Sequence, residues 1–521
     1  MSVVVLSSLE RVLQDDVNVK GPQKAEVFCA KREAESFQII AVNPTDSVVP
    51  DVDLQAGDWK YVGDKPAGVP VLQLFREHYV RIDRPSPRAS SRPGMYPDAL
   101  IPFVNPYTGE RITKAKYLAA GQNVASGKSQ GYWVDILVGK DIAPGIYTNE
   151  ITVFSSGKKI AAIPVIATVW NFELPEDHKL KTFFFRVRDV SSYHNVSKDS
   201  IEYKVIEWRY LQMLRDHGAR CRFEPPATDA TGKAIFSNDY VNGLRRFTFE
   251  MRPSITMVQM LFDDSPVKRR NYLLSWENFL RRNSWLPEPI AYYDEPQNLA
   301  NYHTIIEYSK DIKNYAPSVK LVVTAPIKPN RPDLPSLEGF VDIWVPPWYW
   351  ANPEQVRKWQ EAGYEVWTYI HGDSVGVPNW LIDFSLLDYR IPAWFCWSLD
   401  LKGILYWQTT SWSKSDVKID PWVDCNTNPK ANFSCGEGSL IYPGYDAGID
   451  GPVASMRLKV FRDSVEDFDY FWILKNLTGR DTVTKVVSPV ASSFRAYSKA
   501  PNDYVKARKA IAQMILDKSG K

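Results

Sequence analysis

The 521-residue sequence has no apolar run of about 18 residues, so no segment reads as a membrane-spanning helix. Cysteine is scarce, with Cys29, Cys221, Cys396, Cys425 and Cys435, and no spacing among them suits a metal ion. A glycine-rich phosphate loop is missing as well, which weighs against an open nucleotide-binding sheet. Nor is one sign of charge in excess. Lys plus Arg at 63 nearly balances Asp plus Glu at 61, and the formal charge of +2 offers no broad attraction for nucleic acid or an anionic membrane. The start MSVVVLSSLERVLQDD lacks both a basic opening and a long apolar stretch, so it does not read as a signal peptide, and a trimmed mature form is the expectation.

What is abundant is aromatic surface, with 18 Trp and 27 Tyr, much of it in the second half of the chain. Such rings either enlarge a core or, at strand ends, stack on the C–H faces of sugars while offering a polar edge. Cys425 and Cys435, in CNTNPKANFSC, are close enough and loop-like enough to suggest a local disulfide. With the Asn195, Asn432 and Asn476 N-x-S/T triplets this hints at export, and the expected compartment is extracellular or periplasmic.

The length calls for more than one core. Residues 1–175 alternate short β-type runs (SFQIIAV, GYWVDILVG, NEITVF, AAIPVIATVWNF) with Gly, Pro and Asp turns, which predicts an antiparallel β-sandwich. ELPEDHKL is the linker. From TFFFRVRD onward, strand-like runs alternate with helical periodicity: SIEYKVIEWRYLQMLRDHG, MVQMLFDD, PIAYYDE, LANYHTIIEYSKDIKNY, KLVVTAP, VDIWVPPWYW, PEQVRKWQEAG, YEVWTYIHGD, GILYWQTTSW. The predicted fold class is therefore α/β multidomain, an N-terminal β-sandwich followed by a (β/α)8 TIM-type barrel over 180–480, with a helical extension over 481–521 packed on the barrel. The helix in SMRLKVFRDSVEDFDYFWILKNL is expected to close the barrel by an apolar stripe, with Arg457, Arg462, Glu466 and Asp467 as a charged seam.

In a barrel, reactive groups lie where strands end. That places Asp294 and Glu295, Asp263 and Asp264, Tyr369 with His371 and Asp373, and Trp407 with Trp412 on one rim, covered by the loop from about Ser413 to Gly451. Asp294 and Glu295 in PIAYYDEPQ are the sharpest feature. Neighbours on a regular strand face opposite ways, so the two share a site only where the strand ends or bulges, and Pro296 stops the ladder there. Paired carboxylates in a partly desolvated pocket can keep one proton near neutral pH, as glycosidic cleavage requires. A solvated Asp-Glu turn opening the next helix is the plainer alternative. An enzyme nucleophile usually sits about 5 Å from the acid and comes from another strand, so adjacent carboxylates better suit a substrate whose own 2-acetamido oxygen attacks the anomeric carbon.

YPDALIP, APGIYTNEITV, AYYDEP, GILYWQTTSW, LIYPG and SMRLKVFRDSVEDFDYFWIL together resemble glycoside hydrolase family 123 over most of the chain. The resemblance implies a sandwich, a barrel and a retaining, metal-free and cofactor-free exo-β-N-acetylgalactosaminidase acting on a glycan or glycolipid. Asp294 is then the acetamido-orienting stabiliser and Glu295 the acid/base. The closing helix departs from the pattern, with RDSVED where relatives have Gly after the Asp and RLK where an acidic third residue is common.

Further substrate-binding candidates follow. Tyr369 could bond the acetamido carbonyl, Trp407 and Trp412 could form the sugar platform, His371 is a loop candidate, and Arg186 and Asp263 could hold hydroxyls. Core packing for Trp407, structural hydrogen bonding for His371 and ion pairing for Arg186 and Asp263 stay open as alternatives. So do a glycosidase of another sugar with Asp263 or Asp373 as nucleophile, and a non-catalytic carbohydrate-binding barrel.

Overall fold

The computed structural model describes residues 1–520 apart from 64–67, 186, 262–264, 326–332, 373–375, 415–416 and 427–433. Eleven described strands make the first part: β1 Ser2–Ser7, β2 Ala25–Lys31, β3 Glu33–Asn43, β4 Val49–Ala56, β5 Lys60–Tyr61, β6 Val71–Ile82, β7 Gly94–Pro102, β8 Gln122–Val124, β9 Lys128–Val138, β10 Gly145–Ser155 and β11 Lys158–Glu173. One sheet runs β1-β3-β9-β6-β7 and the other β2-β11-β10-β4-β8, with β5 on β10. Every pairing is antiparallel except β2 with β11. The β10–β11 turn has φ of 47° at Ser156 and 74° at Gly157, a left-handed pair that matches the twist of a tight hairpin.

Strand β9 shows why the sequence here lacks clean alternation. Tyr132, Val134, Ile136 and Val138 enter the core between the sheets, while Trp133 belongs to the larger core of the second part. The sheet is covered on both faces, so residues 132–138 are apolar on both sides of the strand apart from Asp135, which pairs with Lys459.

The second part is α/β. Strands β12 Lys181–Phe184, β13 Thr256–Met257, β14 Pro289–Tyr293, β15 Lys320–Val323, β16 Ile343–Trp344, β17 Glu365–Val366, β18 Thr368–Tyr369 and β19 Gly403–Tyr406 pair in parallel as β13-β14-β15-β16-β17 and β12-β19-β18. β17 and β18 are one strand interrupted at Trp367, so the two ladders join into one arc. A single parallel bridge from Phe184 to Cys221 extends it past β12. Between Cys221 and β13 the described residues show no ladder, so the expected eight-stranded ring is observed as an arc. Its concave interior is filled by Phe183, Ile290, Val322, Ile343, Trp367, Leu405 and their neighbours.

Helices α1 Val190–His194, α2 Ile201–Asp216, α3 Asn238–Met251, α4 Pro266–Arg282, α5 Leu299–Tyr315, α6 Pro353–Glu361, α7 Leu387–Arg390, α8 Pro392–Ser398, α9 Met456–Thr478, α10 Arg480–Val487 and α11 Pro501–Ser519 follow the strands and close the chain. Helix α5 shows the local logic. Asn298 accepts from the Asn301 N–H as N-cap, and Tyr302, Ile305, Tyr308, Ser309 and Ile312 form the buried face at three- and four-residue spacing. No described helix is long and apolar enough to cross a membrane.

Helix α9 corrects the expected seam. Its charged residues are buried and reach into the sandwich rather than running along a surface. Arg457 holds Asp98 of β7 through Nε–Oδ1 at 2.7 Å and Nη2–Oδ2 at 2.8 Å. Lys459 and Arg462 pair with Asp135 of β9, and Asp467 receives Arg390 from α7 at 2.8 Å. Burial alone would raise the Asp135 carboxyl, but the charges of Lys459 and Arg462 outweigh it and hold it well below the usual range. Helix α11 likewise packs on α9 while its Arg508 pairs with Glu33 and Glu35 of β3, so the C-terminal extension rests on the sandwich as well as on the second part.

Candidate active site

Strand parity positions the first acid. Tyr292 and Asp294 stand two residues apart and share a face, and the Tyr292 hydroxyl donates to Asp294 Oδ1 at 2.6 Å. Parity would send Glu295 the other way. Instead its φ is 35°, a left-handed conformation that a side-chain-bearing residue adopts only when its surroundings enforce it, at about 1–3 kcal/mol. The enforcing contact is Thr324, just past the end of β15. Its hydroxyl accepts the Glu295 N–H at 2.8 Å and donates to Asp294 Oδ1 at 2.9 Å, locking both members of the pair with one oxygen.

The turned Glu295 meets Tyr369, whose hydroxyl donates to Oε1 at 2.6 Å. Tyr369 belongs to the interior cluster of the arc and the half-buried Tyr292 packs against it, so each acid is bonded to a phenol of the same cluster. Both acids are exposed, whereas Thr324 and Tyr369 are buried. Burial first, and then the charge of Asp294, pushes the Tyr292 phenol far up; burial and then Glu295 do the same for Tyr369. Both phenols therefore remain hydrogen-bond donors throughout the ordinary pH range.

The ring of His371 lies 5.8 Å from Tyr369 and 5.4 Å from Tyr349, and its Nε2 is 3.3 Å from the Tyr349 hydroxyl. Next to it, the Gly372 N–H donates to Glu437 Oε1 at 2.6 Å. Glu437 is a buried carboxylate from the 413–451 segment, and it stands between Gly436 and Gly438, with φ of 78° and 69°. Trp407 is half-buried against Gly438, where a Cβ would come within 2.5 Å of its ring.

Trp412 corrects another expectation. It is 0% exposed, its indole N–H donates to the Ile441 carbonyl at 3.0 Å, and Tyr193 and Tyr210 pack on it edge-on, so it serves the core and forms no sugar platform. Cys425 and Cys435 are joined as a disulfide, with Cα atoms 4.7 Å apart. Arg186, Asp263, Asp264, Asp373 and Asn432 lie outside the described residues. Sequence reasoning missed Thr324 and Glu437; the only local signals were a hydroxyl ending the run KLVVT and a glutamate framed by glycines in CGEGS.

Residues 268–474 match the family model described as glycoside hydrolase 123, catalytic domain. That stretch is similar to the catalytic domain of glycoside hydrolase family 123. The matched stretch contains Asp294, Glu295, Thr324, Tyr369 and Glu437. A solved family 123 glycoside hydrolase from Clostridium perfringens, studied for glycolipid glycan hydrolysis, superposes with a TM-score of 0.70 at 14% identity, over 99% of this chain and 98% of that one. This chain thus shares that fold from the sandwich to the last helix. A family 39 glycoside hydrolase from Bacteroides cellulosilyticus WH2 gives 0.34 at 12% identity, covering 82% of each chain. A Bacteroides ovatus GH5 xyloglucanase gives 0.30 at 10%, covering 89% of this chain and 100% of that one. Those two superpositions are too loose to bear on the fold. No curated protein matches the sequence.

Proposed function

We propose that this chain is a retaining exo-glycosidase that removes terminal β-linked N-acetylgalactosamine from a glycan or glycolipid, with the sugar's acetamido group as internal nucleophile. The observation that carries the reading is the pair itself: sequence neighbours both bonded to Thr324, each holding one oxygen toward a phenol of the arc's interior cluster. We take the arc of parallel strands as the greater part of a closed (β/α)8 barrel whose strand ends carry the site.

The residues divide the chemistry as follows. Asp294 Oδ1 is committed to Tyr292 and Thr324, so Oδ2 is assigned to the acetamido N–H. Its charge steadies the positive charge that grows as the acetamido oxygen bonds to the anomeric carbon. Glu295 Oε1 is committed to Tyr369, so Oε2 is assigned the proton. As the anomeric carbon–oxygen bond breaks, that proton passes to the leaving oxygen. A water then attacks the anomeric carbon, returns a proton to Glu295 and frees the acetamido oxygen, and two inversions give net retention. Trp407 and His371 are assigned to sugar contact at the mouth. The disulfide suits an extracellular or periplasmic setting, which we propose as the compartment.

The test is hydrolysis of aryl 2-acetamido-2-deoxy-β-galactoside beside aryl β-galactoside. Turnover of the first alone is expected, and equal turnover of both would remove the acetamido group from the mechanism.

A further inference from the structure

A cavity of about 310 Å³ shares no lining residue with the candidate active site. It opens where α1 and the 413–451 segment meet the sandwich, and its volume falls at the lower end of small-molecule sites, about 300–1,000 Å³. Its walls are fixed by the fold. Trp422 is buried, stacked on Tyr117 of the sandwich at 4.9 Å and bonded through its indole N–H to the Pro443 carbonyl at 3.1 Å. Lys116 of the sandwich spans two lining carboxylates, reaching Asp446 at 3.0 Å and Asp420 at 3.4 Å. Lys418 is anchored on the Ser192 carbonyl at 2.7 Å.

Two features speak to the ligand. The carboxylates of Asp420 and Asp446 are balanced by Lys116 and Lys418, so the cavity has no excess of either sign to select an ion, yet it presents charged acceptors and a donor to hydroxyl groups. Beside them Tyr445 lines the cavity and leaves 51% of its surface exposed, offering a flat apolar ring face. Polyhydroxylated edges with a C–H face are the chemistry of a neutral pyranose.

We propose that this cavity is a second carbohydrate site, taking a neutral pyranose with its ring on Tyr445 and its hydroxyls on Asp420 and Asp446. A ligand of this size in a preformed site binds with a Kd on the order of 1 mM. The proposal does not depend on the reaction assigned to Asp294 and Glu295.

Saturation-transfer NMR on the full chain tests it, with methyl β-D-galactopyranoside and methyl β-D-glucopyranoside as probes and methyl β-D-glucuronide as the charged comparison. The expected result is transfer to ring protons of at least one neutral glycoside, reduced more than fivefold by Tyr445→Ala and by Asp446→Asn, and kept by Glu295→Gln. Tyr445 is exposed and Asp446 half-buried, and unchanged melting curves are expected to show the variants folded. No transfer from the wild type, transfer untouched by both variants, or a clear preference for the glucuronide would each overturn the proposal.

Discussion

The hydroxyl of Tyr369 donates to Oε1 of Glu295 across 2.6 Å, joining the end of one parallel strand to the second residue past another, 74 positions away in sequence. This bond engages Oε1 and, under the proposed mechanism, assigns the proton to Oε2. Tyr369→Phe removes the donor and keeps the ring in the interior cluster. A hydrogen bond to a charged group contributes about 1.5–3 kcal/mol, so kcat is expected to fall about 10- to 100-fold with the melting temperature nearly unchanged. Steady-state kinetics beside a thermal melt separates the two effects, and a wild-type kcat in this variant would show that the bond plays no part.

Thr324 tests the turn itself. In Thr324→Val the shape is kept, but the Glu295 N–H loses its acceptor and Asp294 loses a donor. The strained φ of Glu295 then has less to hold it, and kcat/KM is expected to fall about tenfold or more. Thr324→Ser, which retains the hydroxyl, should recover most of the activity. Equal losses in Val and Ser variants would point to packing instead.

Arg457 and Asp98 form a buried, doubly bonded pair, with Tyr442 donating to the same carboxylate at 2.7 Å. Breaking such a pair from one side strands the other charge, at about 3–5 kcal/mol. Arg457→Met is expected to lower the urea midpoint accordingly. Arg457→Lys should restore little, because a single ammonium cannot make the forked contact.

Glu77 offers a stability readout in pH. Its carboxylate is buried over Gly131, neither oxygen has a hydrogen-bond partner among the described residues, and burial raises its pKa to about 8 despite the nearby charge of Arg11. A carboxyl raised in the folded state favours the protonated native form. Its contribution is fully present below the unfolded value near 4.5 and is lost as pH climbs through about 8. Melting temperature measured from pH 5 to 9 should therefore decline more steeply in the wild type than in Glu77→Gln. Parallel curves would assign the slope to other groups.

How far these features could be read from the sequence depends on range. Helix α5 occupies Leu299–Tyr315, the very run whose periodicity predicts it, and the stretch ELPEDHKL runs from the last residue of β11 to the start of β12. Those signals are local. Asp294 and Glu295 were visible because a strand-like run stops at a proline. Trp412 was misplaced because a tryptophan near a strand end looks the same whether its N–H meets a sugar or a carbonyl such as that of Ile441. The charges of α9 read as a surface seam because their partners, Asp98 and Asp135, lie more than 300 residues upstream. Thr324 and Glu437 take their meaning from a hydrogen bond to a distant backbone amide, which no window of sequence displays.

The ties from α9 to the sandwich set a practical boundary on protein engineering. A fragment trimmed to residues 268–474 would keep Arg457, Lys459 and Arg462 but discard Asp98 and Asp135, leaving three cations on a greasy, newly uncovered wall. Such a piece should come out of expression insoluble. Swapping in a foreign first domain would meet the same obstacle unless the graft brought acids to the matching places.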